Sequence, residues 1–268
     1  MPASHRLSDI HRIGVGYLVL LAICFLLASP LPVDAATPAA TITHATGTAH
    51  LSLPDGSLRL ASVGTALPEG TVVSVEQASS VRIRFSDGAE LVLKPGSRLR
   101  VEAFHYEPEE PESDRLVFSL IKGGLRAVTG LVGRRGSPDD FEGRTLVGSI
   151  GIRGTEFGML LCEPGECAAL LEGLPEELRD RIGSGGLFFE VTAGVISFAN
   201  ESGEVLFTIE EWGYADSMAR PPIIVSSEPP DGVPFPLRRI LPLIAATESI
   251  GGFSAGLGVD PFAQCLLQ

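Results

Sequence analysis

The stretch VRIRFSDGAELVLKPGSRLRVEA, residues 81–103, constrains the fold more than any other. Val81, Ile83 and Phe85 alternate with Arg82, Arg84 and Ser86, a period of two that places apolar side chains on one face and polar ones on the other. Asp87-Gly88 tolerates positive φ and suits a tight hairpin turn. Leu91 and Leu93 resume the apolar face, Pro95-Gly96 turns again, and Leu99 and Val101 begin a third run. The pattern predicts three antiparallel strands with one buried face. A meander of this kind needs further strands to cover that face.

The rest of the chain supplies them. Residues 47–60 read as a hairpin around Pro54-Asp55-Gly56, and Val72, Val73 and Val75 as a short strand. Residues 116–121 form another, turned back by Lys122-Gly123-Gly124 into 125–128. Residues 133–143 read as a polar loop, and 145–161 as a glycine-punctuated extended run. Three more strands are expected at 187–191, 195–199 and 205–209, with Trp212 plugging the edge of the core. One short helix is expected over 175–182, where Pro175 and acids lead, Arg follows and Gly183 ends it. The expectation is an all-β fold: an antiparallel sandwich or solenoid-like domain of short strands with one short helix.

Two blocks resemble a known family. The run FSDGAELVLKPGSRLRV and the run Gly151-Ile152-Arg153-Gly154-Thr155-Glu156-Phe157 are similar to the FecR-type periplasmic domain of the ferric-citrate regulators. Phe104-His105-Tyr106 and KGGLRAVTG, residues 122–130, also fit. The resemblance spans about residues 47–214. It implies envelope sensing or regulation through protein contact, with Asp87, Gly88, Gly151, Arg153, Gly154 and Thr155 as motif residues of structural purpose. Arg153 is expected to hydrogen-bond carbonyls at a strand bend. Well-known members carry a cytoplasmic helical domain that holds a sigma factor, then a membrane span. Here 12 residues precede the apolar stretch, so a stand-alone exported domain without sigma-factor control is expected.

The N-terminus supports export. Arg6 and Arg12 precede an apolar run over 13–28, and Val33-Asp34-Ala35 gives a small-x-small end, the pattern of a secretory signal peptide. The expected organisation is a signal peptide over 1–35, a spacer over 36–46, a FecR-like β domain over 47–218 and a Pro/Gly-rich tail over 219–268. The apolar run falls short of the ~20 residues of a spanning helix, so membrane contact is expected only through this segment if it stays uncleaved. A periplasmic or secreted chain follows. Its net charge of −13 repels phosphate backbones and argues against nucleic acid.

Export permits disulfides. Cys162 and Cys167 flank Glu-Pro-Gly-Glu, and that turn favours a bridge between them. Neither a Cys-x-x-Cys pair nor a His-x-x-x-His pair completes a zinc site, and Cys265 is left over. His44, His50 and His105 stand at no informative spacing to a cysteine or carboxylate. The acidic run over 107–114 lacks the spacing of a calcium loop and reads as a solvated connection. No catalytic, cofactor or metal site is expected. The leading function is non-catalytic regulation by contact with another envelope protein; the alternative is a module that binds an envelope glycan or small ligand, to which the few Trp and Tyr residues are poorly suited.

Overall fold

The computed structural model describes residues 38–166, 176–209 and 211–226. The strands, in chain order, begin with β1 (Ala40–Thr46), β2 (Ala49–Ser52), β3 (Leu58–Leu60), β4 (Ala66–Leu67) and β5 (Val72–Val75). The stretch predicted as a meander supplies β6 (Ser80–Phe85), β7 (Glu90–Leu93) and β8 (Arg98–His105). Then come β9 (Arg115–Val128), helix α1 (Val132–Arg135), β10 (Phe141–Thr145) and β11 (Gly148–Cys162). Helix α2 (Glu176–Arg179), β12 (Gly186–Asn200), β13 (Gly203–Thr208), β14 (Glu211–Ala215) and β15 (Ile223–Ser226) complete the described chain.

Pairing joins all fifteen strands into a sheet that does not close. Three strands, β9, β11 and β12, are about twice as long as the others, and each changes neighbours midway. The first half of β9 lies between β8 and β10, its second half between β7 and β11. The first half of β11 lies between β10 and β12, its second half between β9 and β12. The first half of β12 meets β14, its second half β13. Two layers result. One runs β3-β2-β5-β8-β9-β10-β11-β12-β13, and the other β4-β1-β6-β7-β9-β11-β12-β14-β15. The long strands pass from one to the other.

Most strands bury alternate residues between the layers, while all three residues of β3 are exposed. Leu99, Val101, Phe118, Leu120, Ile150, Ile152, Ile196 and Phe198 come from the first layer. Ile42, Val81, Ile83, Leu91, Leu93, Leu125, Phe157, Met159 and Phe189 come from the second. They form one core cluster. Complete burial of a side chain the size of Phe118 or Phe198 contributes about 2–3 kcal/mol.

The all-β expectation holds. Four details differ. The three-strand meander does not form: β6 pairs with β7, but β7 goes on to pair with β9 and β8 with β5 and β9, because the Pro95-Gly96 turn carries the chain from the second layer to the first. Residues 40–46, read as a spacer, form β1, because Ala40 and Ile42 alternate with Thr41 and fit the pleat despite their small size. Pairing resumes in the Pro-rich tail, since Ile223 lies just past Pro222 and is free to join β14. The supposed loop over 133–143 contains α1 and a 3-10 turn at Pro138–Asp140 capped by Ser137. That connection carries the chain across to make β10 parallel to β9, which a short hairpin turn could not do. The predicted signal peptide, Cys167, Cys265 and the rest of the tail lie outside the described residues.

Candidate functional site

The layer crossings require backbone that ordinary residues avoid. Gly123, Gly154 and Gly194 sit at the midpoints of β9, β11 and β12 with φ of 77°, 61° and 82°. A Cβ on Gly194 would stand 2.5 Å from the Gly154 carbonyl oxygen, so these two crossings touch.

Hydroxyls fasten each crossing. Ser97 Oγ donates to the Gly124 carbonyl at 2.7 Å and accepts from the Gly124 N–H at 2.9 Å. Thr155 Oγ1 donates to the carbonyls of Arg153 and Val195, at 3.1 and 2.9 Å. The Thr155 N–H donates to Thr129 Oγ1 at 2.9 Å, and the Thr129 N–H returns to the Thr155 carbonyl at 3.1 Å. Ser97, Thr129 and Thr155 are all buried. Their oxygens are engaged with backbone, which suits them to hold strands rather than attack a substrate.

Asp87 fixes the remaining corner. Its Oδ1 accepts from the Ala89 N–H at 3.0 Å, closing the β6–β7 turn at Gly88. Its Oδ2 accepts from the Val132 N–H at 3.1 Å, and its carbonyl accepts from the Leu131 N–H at 3.0 Å. The motif carboxylate thus ties the hairpin to the start of α1, a few residues past Thr129. Burial pushes its pKa up, against the lowering effect of the two amides. The two sequence blocks, distant in the chain, meet along this seam.

Arg153 departs from expectation. Its side chain is exposed and makes no hydrogen bond or ion pair among the described residues. Arg134, also exposed, lies alongside, its Cγ 4.0 Å from where a Gly154 Cβ would stand. The neighbouring Arg135 holds the acidic loop instead, bonding Asp114 and the carbonyls of Glu107 and Pro108. Cys162 is buried at the end of β11, and the turn after it is braced by Lys122, which pairs with Glu163 and Glu166 at 3.0 and 2.8 Å.

The sequence reading missed a charged cluster on the outward face of the second layer. Lys94, Arg126, Glu156 and Glu190 project there, and Arg126 pairs with Glu156. Burial lowers the Lys94 pKa from 10.5 to about 8, with repulsion from Arg126 adding to the effect and Glu190 opposing it. Burial raises the Glu190 pKa, against Arg126 and Lys94. The signal available was parity: each lies on a strand one step out of phase with the core residues. Trp212 shares this face, so it is buried but is no plug of the central core. Among the described residues no group of three His, Cys, Asp or Glu could hold a metal ion.

The sequence pattern of the family described as FecR protein matches residues 71–173. Those residues are similar to a FecR-type domain. The matched span runs from β5 through β11, and it contains Asp87, Ser97, Thr129 and the Gly151–Thr155 block. The flanking strands β1–β4 and β12–β15, outside the matched span, complete both layers of the fold. Two crystal structures of a candidate anti-sigma factor from Parabacteroides distasonis ATCC 8503 are also similar, at 13% and 12% identity with TM-scores of 0.42 and 0.41. Each comparison covers 59% of this chain and 60% of that one. No curated protein matches the chain.

Proposed function

We propose that this chain is an exported FecR-type domain that acts in envelope sensing and regulation through contact with another protein, without catalysing a reaction. The observation that carries the reading is the division within the GIRGT block. Gly154 and Thr155 are used internally, to cross between layers and hold the crossing. Arg153, between them and the core isoleucine Ile152, is presented outward beside Arg134 with no side-chain partner among the described residues. A guanidinium held at a rigid bend and left open is suited to a carboxylate on a protein surface. The described Trp212 and Tyr214 are buried, which leaves them unsuited to stacking on a sugar.

The test places a photo-crosslinking residue at Arg134 in living cells and maps adducts by mass spectrometry. One dominant envelope protein is expected, and the adduct should be lost when Arg153→Glu is added. No protein adduct from a folded, exported chain, or an adduct indifferent to Arg153→Glu, contradicts the reading. Export itself predicts a mature N-terminus near Ala35. It also predicts a Cys162–Cys167 bridge, so that native protein resists thiol alkylation at both positions. An intact Met1 on envelope protein, or labelling of both thiols, contradicts these two points.

A further inference from the structure

The outermost strands of the two layers do not end them in the same way. β4 has two residues and runs into Pro68, β3 has three, and β15 follows Pro221-Pro222. Brevity and proline blunt an edge against further pairing. β13 has neither. Its six residues include no proline, lysine or arginine, and it pairs with β12 alone, in unbroken register from Gly203 to Thr208. The Thr208 N–H donates to a Glu211 carboxylate oxygen at 2.7 Å, so it points away from β12. Alternate residues of an antiparallel strand turn their N–H and C=O to the same side, so Leu206 and Glu204 present theirs at the open edge. Neither residue has a backbone partner on that side among the described residues. The turn that starts the strand is held in place. Asn200 Nδ2 donates to the carbonyls of Ser217 and Arg220 at 3.0 and 2.7 Å, and the Glu201 N–H to that of Met218 at 2.9 Å. The second layer also runs one strand farther on this side, since β12 is followed by β13 in the first layer but by β14 and β15 in the second. Ile224 of β15 lies in the same ladder row as Gly213 and the core residue Phe189, yet it is 50% exposed.

We propose that the β13 edge is the docking site for an extended segment of the partner protein, which joins the first layer as one further strand; this rests on the reading of the chain as a protein-contact module. Another strand, about 4.8 Å away, is the occupant that satisfies a row of alternating amide donors and carbonyl acceptors. In that position it lies over β15. One set of its side chains meets Ile224, and the other lies beside Leu206 on the outer face. The segment is therefore aliphatic on both faces, unlike a surface strand that alternates apolar with polar. Glu204 is exposed and has no ion pair among the described residues, so it selects a Lys or Arg opposite it. A second copy of this chain fits the edge poorly. Its own second layer would project toward β15, and each copy carries a net charge of −13. The edge is already a fixed strand, so binding orders only the partner segment.

The test uses the full chain in living cells, with a photo-crosslinking residue at Ile209, exposed just past the end of β13, run beside the Arg134 position. Both positions should capture the same envelope protein. The Ile209 adduct should map to an aliphatic segment of it that carries a basic residue. In the purified complex, hydrogen exchange at the Glu204 and Leu206 amides should slow at least tenfold. Leu206→Pro removes one edge donor and leaves the β12 pairing intact, so it should reduce the Ile209 adduct at least tenfold. Leu206→Ala keeps the donor and should reduce it about twofold. Should the proline variant not unfold cooperatively, Leu206→Lys, a charge at an exposed edge position, gives the same readout. An Arg134 adduct without an Ile209 adduct overturns this inference and leaves the protein-contact reading standing. So does an Ile209 adduct indifferent to Leu206→Pro, or a complex in which the two amides stay unprotected. An Ile209 adduct with a second copy, or with another part of this chain, overturns it as well. No adduct at either position overturns both.

Discussion

The two outer faces are made in part from the same strands and have opposite characters. On the second layer, the first half of β12 turns Phe188 outward, and it is 3% exposed. On the first layer, the second half of β12 turns Val195 outward, 40% exposed, beside Leu206 of β13 at 63%. Cations follow this division only in part: Lys94 is 7% exposed, but Arg84 of the same layer is exposed, as are Arg100, Arg144 and Arg153 of the first layer. One strand can serve a covered and an open face because its bend at Gly194 separates them. The comparison teaches that the crossing line separates a covered aromatic patch around Phe188, Trp212 and Tyr214 from an open outer face on the first layer.

The largest effect is expected on the covered patch. Phe188→Ala should cost about 4 kcal/mol in urea unfolding, whereas Leu206→Ala should stay within about 0.5 kcal/mol. Equal costs would break the comparison. Gly194→Ala should cost about 3 kcal/mol, because it combines positive φ with a contact to the Gly154 carbonyl. Its cost should fall on both layers together, read as one loss of amide protection.

Lys94 sharpens the comparison through pH. Below pH 8 the ammonium is charged in both the folded and unfolded chains, and burial makes it weaken the fold. Between pH 8 and 10.5 the folded chain has released this proton and the unfolded chain has not, so the penalty fades as pH rises. The urea midpoint of the wild type, relative to Lys94→Met, should rise over that window, by about 2 kcal/mol in free energy. A parallel pH dependence of the two proteins would contradict burial of this cation. Thr155→Val should cost about 1.5 kcal/mol, since the carbonyls of Arg153 and Val195 lose a shared donor. Arg153→Ala should change stability by less than about 0.5 kcal/mol while abolishing partner capture.

The β6–β7 hairpin was legible because Val81, Ile83, Phe85, Leu91 and Leu93 keep strict alternation around the Asp-Gly turn; the crossing of β8 to the other layer after Pro95-Gly96 was not, because a turn dipeptide does not say which strand follows its partner. The two motif blocks were legible as patterns, but their meeting was not. Sequence shows a glycine at 154 and a threonine at 155; it does not show that Thr129, in another strand, completes the clamp. β1 was missed because Ala and Thr carry a weak hydrophobic signal, and β15 because neighbouring prolines mask it. Arg153 was expected to bond carbonyls. Thr155, the smaller residue beside it, reaches the Arg153 and Val195 carbonyls instead and leaves the arginine open. The outward cluster escaped because Lys94, Glu156 and Glu190 read as ordinary solvent-facing positions, whereas the structure buries Lys94 and half-buries the two glutamates.

Hydroxyl-radical footprinting of the intact chain measures the difference between the faces most directly. Trp212, Phe188 and Tyr214 should be protected by at least tenfold relative to the urea-unfolded chain, while Leu206 and Val195 should be oxidised at close to their unfolded rates. Fast oxidation of Trp212, an intrinsically reactive side chain, in a chain that still unfolds cooperatively would contradict a covered aromatic patch.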